Sequence, residues 1–182
     1  LPVRLHDFIH LSKKFNFTYY EFHLSYKEIE YLEIHGFKNL IDSIDKNYNI
    51  SIHLPDYITK DSLIDPFSEN LTTQDKSKRI VDISIDLAKA IKLKTKKECF
   101  ILGSFSVNNF KNKEIFYKKF KSYIVEIFKK NGVAILAQWL PKKAWYFGGT
   151  AILDLFSGLD DIEFCLKNKI PICLDVAHLI LS

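Results

Sequence analysis

The sequence predicts an α/β fold, a parallel sheet of the (β/α) TIM-barrel type, and three observations lead there. Five short apolar runs alternate with five helical patterns, the order expected of β-α-β units. The apolar runs are nearly continuous, as in strands covered on both faces. Polar residues gather at the C-terminal ends of those runs, where barrel proteins build their sites, and no glycine-rich phosphate loop follows any of them, so the signature of a nucleotide-binding doubly wound sheet is missing.

Taken in order, Leu5, Phe8, Ile9 and Leu11 predict a short amphipathic helix, and "FTYYEFHLS" (Phe17 to Ser25) an aromatic-rich strand. "FKNLIDSIDKN" reads as helix and "YNISIHL" as a strand ending at Pro55. The clearest helix is "QDKSKRIVDISIDLAKAIKL", where Ile80, Val81, Ile83, Ile85, Leu87, Ala88 and Ile91 give a broad apolar face, followed by the strand "ECFILGSFS". A helix over Lys113 to Lys130 ends at Asn131-Gly132 and leads into the strand "VAILAQ". The loop "WLPKKAWYFGGT" intervenes before a helix over Leu159 to Lys167 and the strand "PICLD".

At 182 residues and 47% hydrophobic, the chain suits one domain with one substantial core, spanning 1–182. The net charge of +4 does not make a nucleic-acid binder: all but two of the 26 basic residues are Lys, the exceptions being Arg4 and Arg79, and they mix with acids along helical segments. Cys99, Cys165 and Cys173 are odd in number and lack C-x-x-C spacing, which favours buried thiols in a reducing compartment. No apolar run is long enough to span a membrane and the first residues do not form a signal peptide, so a soluble, cytoplasmic protein without a membrane partner is expected.

Side chains two apart on a strand share a face, so Glu21 with His23, Ser51 with His53, Leu136 with Gln138, and Cys173 with Asp175 bring polar groups to the strand ends. Asp175 reads either as a ligand for a hard divalent cation or as the cap of the next helix. His178 either joins that ion or a sugar hydroxyl, or is a partly buried helix residue. Gln138 is a neutral, weak ligand that cannot act as a base, or it bonds its strand neighbours. His53 is a substrate histidine or a core histidine bonded to backbone, and Glu21 and His23 are substrate contacts or an internal pair. In the loop from Trp139 to Thr150, Trp145 and Tyr146 would stack a sugar ring and Lys142 and Lys143 meet a phosphate or carboxylate, or the aromatics would fold beneath the loop.

Glu21 on "YYEF", His53 on "SIHLP", the run "ILAQWLP" and "LDVAH" together resemble the xylose isomerase-like TIM barrels, which include sugar isomerases, epimerases and apurinic-site endonucleases. "EFHLS", "AWYFGG" and "CLDVAH", in this order, are similar to barrel domains found with sialic acid synthase-like enzymes of bacterial surface-sugar pathways. The resemblance implies an eight-stranded barrel of which this chain, starting on a helix, holds strands two to six. With the lack of Met, this leads to the expectation that it is part of a longer polypeptide.

It implies a sugar or sugar-phosphate isomerase or epimerase, in surface-glycan or nonulosonic (sialic-type) acid synthesis. His53, His178 and Glu21 would be catalytic, His23, Gln138, Lys142 and Trp145 would bind substrate, and Asp175 with Gln138 would hold Mn²⁺, Mg²⁺ or Zn²⁺. The alternative is a non-catalytic sugar-binding or regulatory barrel linked to a synthase domain or forming a homo-oligomer. The relatives carry Glu where this chain has Gln138, which puts two-base epimerisation in doubt. An endonuclease would need a His on the fourth strand, where Gly103 and Ser104 stand instead.

Overall fold

The computed structural model describes residues 1–105, 112–146 and 149–181. In chain order its elements are β1 (Pro2–Val3), α1 (Leu5–Lys14), β2 (Tyr19–His23), α2 (Tyr26–His35), α3 (Lys38–Ser43) and β3 (Asn49–His53). There follow β4 (Tyr57–Thr59), β5 (Ser62–Leu63), α4 (Leu71–Thr95), β6 (Ile101–Gly103), α5 (Lys113–Asn131) and β7 (Ile135–Gln138). The rest are β8 (Lys143–Tyr146), β9 (Gly149–Ile152), α6 (Leu159–Asn168), β10 (Ile172–Cys173) and α7 (Val176–Leu181).

Six strands form one parallel sheet in the order β1-β2-β3-β6-β7-β10, and two antiparallel hairpins, β4-β5 and β8-β9, stand apart from it. Sheet order follows chain order without a reversal. Right-handed crossovers that always step the same way place their helices on one face of a sheet, and the packing agrees. Phe22, Ile52, Ile101, Ile135 and Ala137 share a single buried cluster with Phe8 of α1, Val81 and Leu87 of α4, and Phe120 of α5. The Phe8 ring meets Tyr20 and Phe22 edge-on at centroid separations of 5.1 and 4.9 Å.

The opposite face carries the alternate residues. Register pairs Glu21 with Ser51, His23 with His53, Leu102 with Leu136, and Gln138 with Cys173. Glu21, His23, Ser51, Leu136 and Cys173 on it are only partly buried. The expectation of burial on both faces is therefore corrected: one face is sealed by helices and the other is polar and half-open.

The five expected strands are present and parallel. The start on a helix is corrected, because Pro2–Val3 is a strand paired with Glu21 and Phe22. The helix α2 and both hairpins were not foreseen. Gly132 ends α5 at φ +65°, as the Asn131-Gly132 pair predicted. Gly103 lets Leu54 pack close: a Cβ there would lie 2.8 Å from Leu54 Cδ1 and would push that side chain aside. Among the described residues, no helix is long and apolar enough to cross a membrane.

A buried carboxylate ties α5 to α6. Asp161, 1% exposed, accepts Tyr117 O–H at 2.7 Å and the Ser157 and Gly158 N–H groups at 2.9 Å each, and pairs with Lys113. The Tyr117 oxygen in turn accepts Phe156 N–H at 3.0 Å, at a residue whose φ is +52°. We expect Asp161→Ala to lower unfolding free energy by about 2–4 kcal/mol in urea titrations, because it orphans several buried donors at once. A loss below about 0.5 kcal/mol would show that the clasp is not holding the helices.

Candidate functional site

The C-terminal ends of β3 and β7 and the second residue after β10 deliver one hydrogen-bonded chain. His53 Nε2 lies 2.7 Å from Gln138 Oε1, and Gln138 Nε2 donates to Asp175 Oδ2 at 2.9 Å. His53 Nδ1 lies 2.7 Å from the Leu54 carbonyl. The two imidazole nitrogens thus face a side-chain amide oxygen on one side and a backbone carbonyl on the other. His53 is 5% exposed and Gln138 9%, so this chain is largely withdrawn from water.

Asp175 also caps α7: its Oδ1 accepts the Ala177 and His178 N–H groups at 2.9 and 3.1 Å. Burial, the largest influence, pushes the carboxyl upward. The His178 N–H, the Gln138 amide, the His178 charge and the Ala177 N–H outweigh it and hold the group below its ordinary range. His178 Nδ1 donates to the Trp139 carbonyl at 2.9 Å and sits 3.5 Å from Asp175 Oδ2. Of the two readings of Asp175 in the sequence, cation ligand or helix cap, the bonds from Ala177 and His178 show the cap.

His23 joins through its ring, which meets His53 edge-on with centroids 4.2 Å apart. Its pKa lies below the ordinary value of 6.5, first through burial, then through His53 and Arg4, with Asp56 and Glu28 opposing. Sequence reasoning missed three neighbours. Arg4 Nη1 donates to the His23 carbonyl at 2.6 Å and lies 3.6 Å from Glu28, completing the ladder where the short β1 stops. Ser104 O–H donates to Asp56 on the loop after β3. The sequence signal for Asp56 was its place three residues after His53, in "HLPD".

Of the expected site residues, the structure brings together His53, Gln138, Asp175, His178 and His23. Glu21 makes no hydrogen bond to them. Lys142 is exposed at the foot of the β8-β9 hairpin, where its carbonyl accepts Leu153 N–H at 2.8 Å. Trp145 lies on β8, and its side chain falls outside the described residues.

The donors, as placed, do not fit the divalent ion that the resemblance implies. Both Asp175 oxygens already accept N–H groups, Gln138 turns its N–H side to that carboxylate, and its oxygen faces His53. Among the described residues, no three His, Cys, Asp or Glu side chains are grouped to hold a metal. An amide cannot take up a proton either, so Gln138 itself offers no base. Comparison with protein-family models, curated proteins and solved structures finds no match to this chain.

The His23 shift sets a pH dependence. Below pH 6.5 the unfolded chain takes up the proton more readily than the fold does. The contribution of His23 is therefore complete above pH 6.5 and is lost as pH falls through the lower midpoint of the folded state. We expect NMR titration of the His23 ring to give a midpoint below 6.5. A midpoint at or above that value would contradict the packing described for it.

Proposed function

We propose that the chain is a carbohydrate-binding unit on a (β/α)-barrel-type sheet of the xylose isomerase-like class, rather than a metal-dependent isomerase in its own right. The observation that carries this is the hydrogen-bonded chain His53–Gln138–Asp175, which orients polar groups at the rim of a half-open face while Gln138 cannot act as a base and both Asp175 oxygens are already engaged. Unreversed strand order and helices on one face support the barrel type. Fixed hydrogen-bonding groups on a rigid scaffold suit a polyhydroxylated ligand, whose hydroxyls need donors and acceptors already in position. Surface-glycan or sialic-type sugar synthesis is the setting that the resemblance suggests.

We expect glucose and glucose 6-phosphate, added at millimolar concentration, to shift NMR resonances of Glu21, His23, Ser51, His53 and Gln138 without any conversion of the sugar. Shifts elsewhere, or none, would refute the binding reading, and steady turnover would restore the isomerase.

One observation favours that second reading: Gln138 stands 2.9 Å from Asp175 at the strand ends, where a Glu would give two adjacent carboxylates. Gln138→Glu should therefore create divalent-cation binding at least about tenfold tighter than the parent chain's, read by calorimetry with Mn²⁺. No gain would mean that this position has no latent ligand role.

A further inference from the structure

Along each helix the lysines mix with acids, but the fold sorts the helix ends. In a parallel sheet each connecting helix runs back against its strands. The last turns of α4 and α5 therefore lie where β6 and β7 begin, at the opposite end of the sheet from the His53–Gln138–Asp175 rim. Residues 92–98 and 129–132 hold six lysines, Lys92, Lys94, Lys96, Lys97, Lys129 and Lys130, against one acid, Glu98, so their net charge is +5 where the whole chain has +4. Two contacts join these segments into one patch. Lys92 Nζ donates to the Gly132 carbonyl at 3.4 Å, and Lys97 Nζ donates to the Asn47 carbonyl ahead of β3. The turn before β3 adds Asp45 and Lys46, which leave the balance unchanged. β3, β6 and β7 are interior strands of the sheet.

Little of this charge serves the fold. Glu98 is paired with Lys92 at 2.8 Å, and the exposed ammonium groups of Lys96, Lys129 and Lys130 have no acceptor among the described residues. Lys94 acts on Asp42, which Lys38 already pairs at 2.8 Å. Glu126, one turn back on α5, lines a separate recess with Lys78 and Lys119. Lys96 also ends α4 at φ +61°, in the left-handed region that favours glycine, so the helix end alone does not ask for a lysine there. Large apolar side chains stand in the same last turns: Leu93 is 72% exposed and Phe128 55%. The patch has no arginine, the residue whose planar fork suits nucleic-acid recognition. Exposed Leu and Phe set among lysines suit the boundary of an anionic bilayer, where ammonium groups meet the headgroups and apolar side chains enter the acyl boundary.

We propose that this end of the sheet is a peripheral docking surface for an anionic lipid bilayer, with Lys94, Lys96, Lys129 and Lys130 on the headgroups and Leu93 and Phe128 inserted between them. The expectation of no membrane partner rested on the lack of a spanning run, which does not bear on a surface assembled from the ends of separate helices. The proposal is independent of the carbohydrate reading, and it leaves the rim at the end of the sheet away from the bilayer.

Flotation of the whole chain with phosphatidylcholine vesicles, alone or with about 30% phosphatidylserine, tests this. The protein should bind the anionic vesicles at least about tenfold more strongly than the neutral ones, and about 0.5 M NaCl should release it. Lys96→Gln with Lys129→Gln and Lys130→Gln should weaken vesicle binding at least about tenfold. Leu93→Ser with Phe128→Ser, at exposed positions, should weaken vesicle binding about fivefold while leaving retention on heparin, a polyanion without a lipid phase, unchanged. Should a variant fail to fold, the comparison of the two vesicles on the unaltered chain still decides. Equal binding to both vesicles, or binding to neither, would overturn the proposal. Duplex DNA bound more tightly than the anionic vesicles, with no effect of the Leu93 and Phe128 substitutions on either, would overturn it in favour of a nucleic-acid surface.

Discussion

The structure depends on one packing contact: the alternate strand residues Phe22, Ile52, Ile101, Ile135 and Ala137, each at most 1% exposed, pressed against Phe8, Val81, Leu87 and Phe120 of the helices. Because side chains alternate across a strand, committing this set to the helices commits its neighbours to the opposite face. Glu21, His23, Ser51, His53 and Gln138 therefore face one another because isoleucines and phenylalanines do so behind them. A slip of one residue in any strand would bury its polar set under the helices. Register is thus enforced by the large cost of placing charges and imidazoles in an apolar layer.

That division explains what could be read from the sequence. The strands of the sheet, apart from β1, were legible because β-branched and aromatic residues run together between helical patterns, and the meeting of His53 and Gln138 followed from period two. The two residues of β1 carry no periodicity, and their pairing depends on the Glu21–Phe22 backbone. Helix α2 was legible in principle: Ser25 and Glu28 form a capping box, the S-x-x-E signal that marks a helix start. Its face is weakly amphipathic, since only Ile29 and Leu32 are buried, and pattern alone passes over it. Arg4 against the His23 carbonyl and Ser104 against Asp56 join residues 19 and 48 positions apart. No local pattern announces such pairs.

Gln138 shows why identity and geometry must be read together. The sequence indicates a neutral amide at a strand end, a weak ligand and no base. The structure adds what the amide does: it accepts from His53 on one side and donates to Asp175 on the other, which a carboxylate could not do. At the rim every polar atom of the chain is engaged.

The agreement between sheet order and chain order has a kinetic meaning. Each strand pairs with the strand of the sheet that precedes it along the chain, and the register links positions as near as Pro2 with Glu21 and no farther apart than Ile52 with Ile101. Loop closures of that length are modest, and no strand must wait for a distant one before it finds its partner. The sheet can therefore grow one β/α unit at a time from its N-terminal edge while the chain is being synthesised, each new strand templated by the last. The growing edge is then the aggregation-prone surface at every stage, covered in turn by the next unit to emerge.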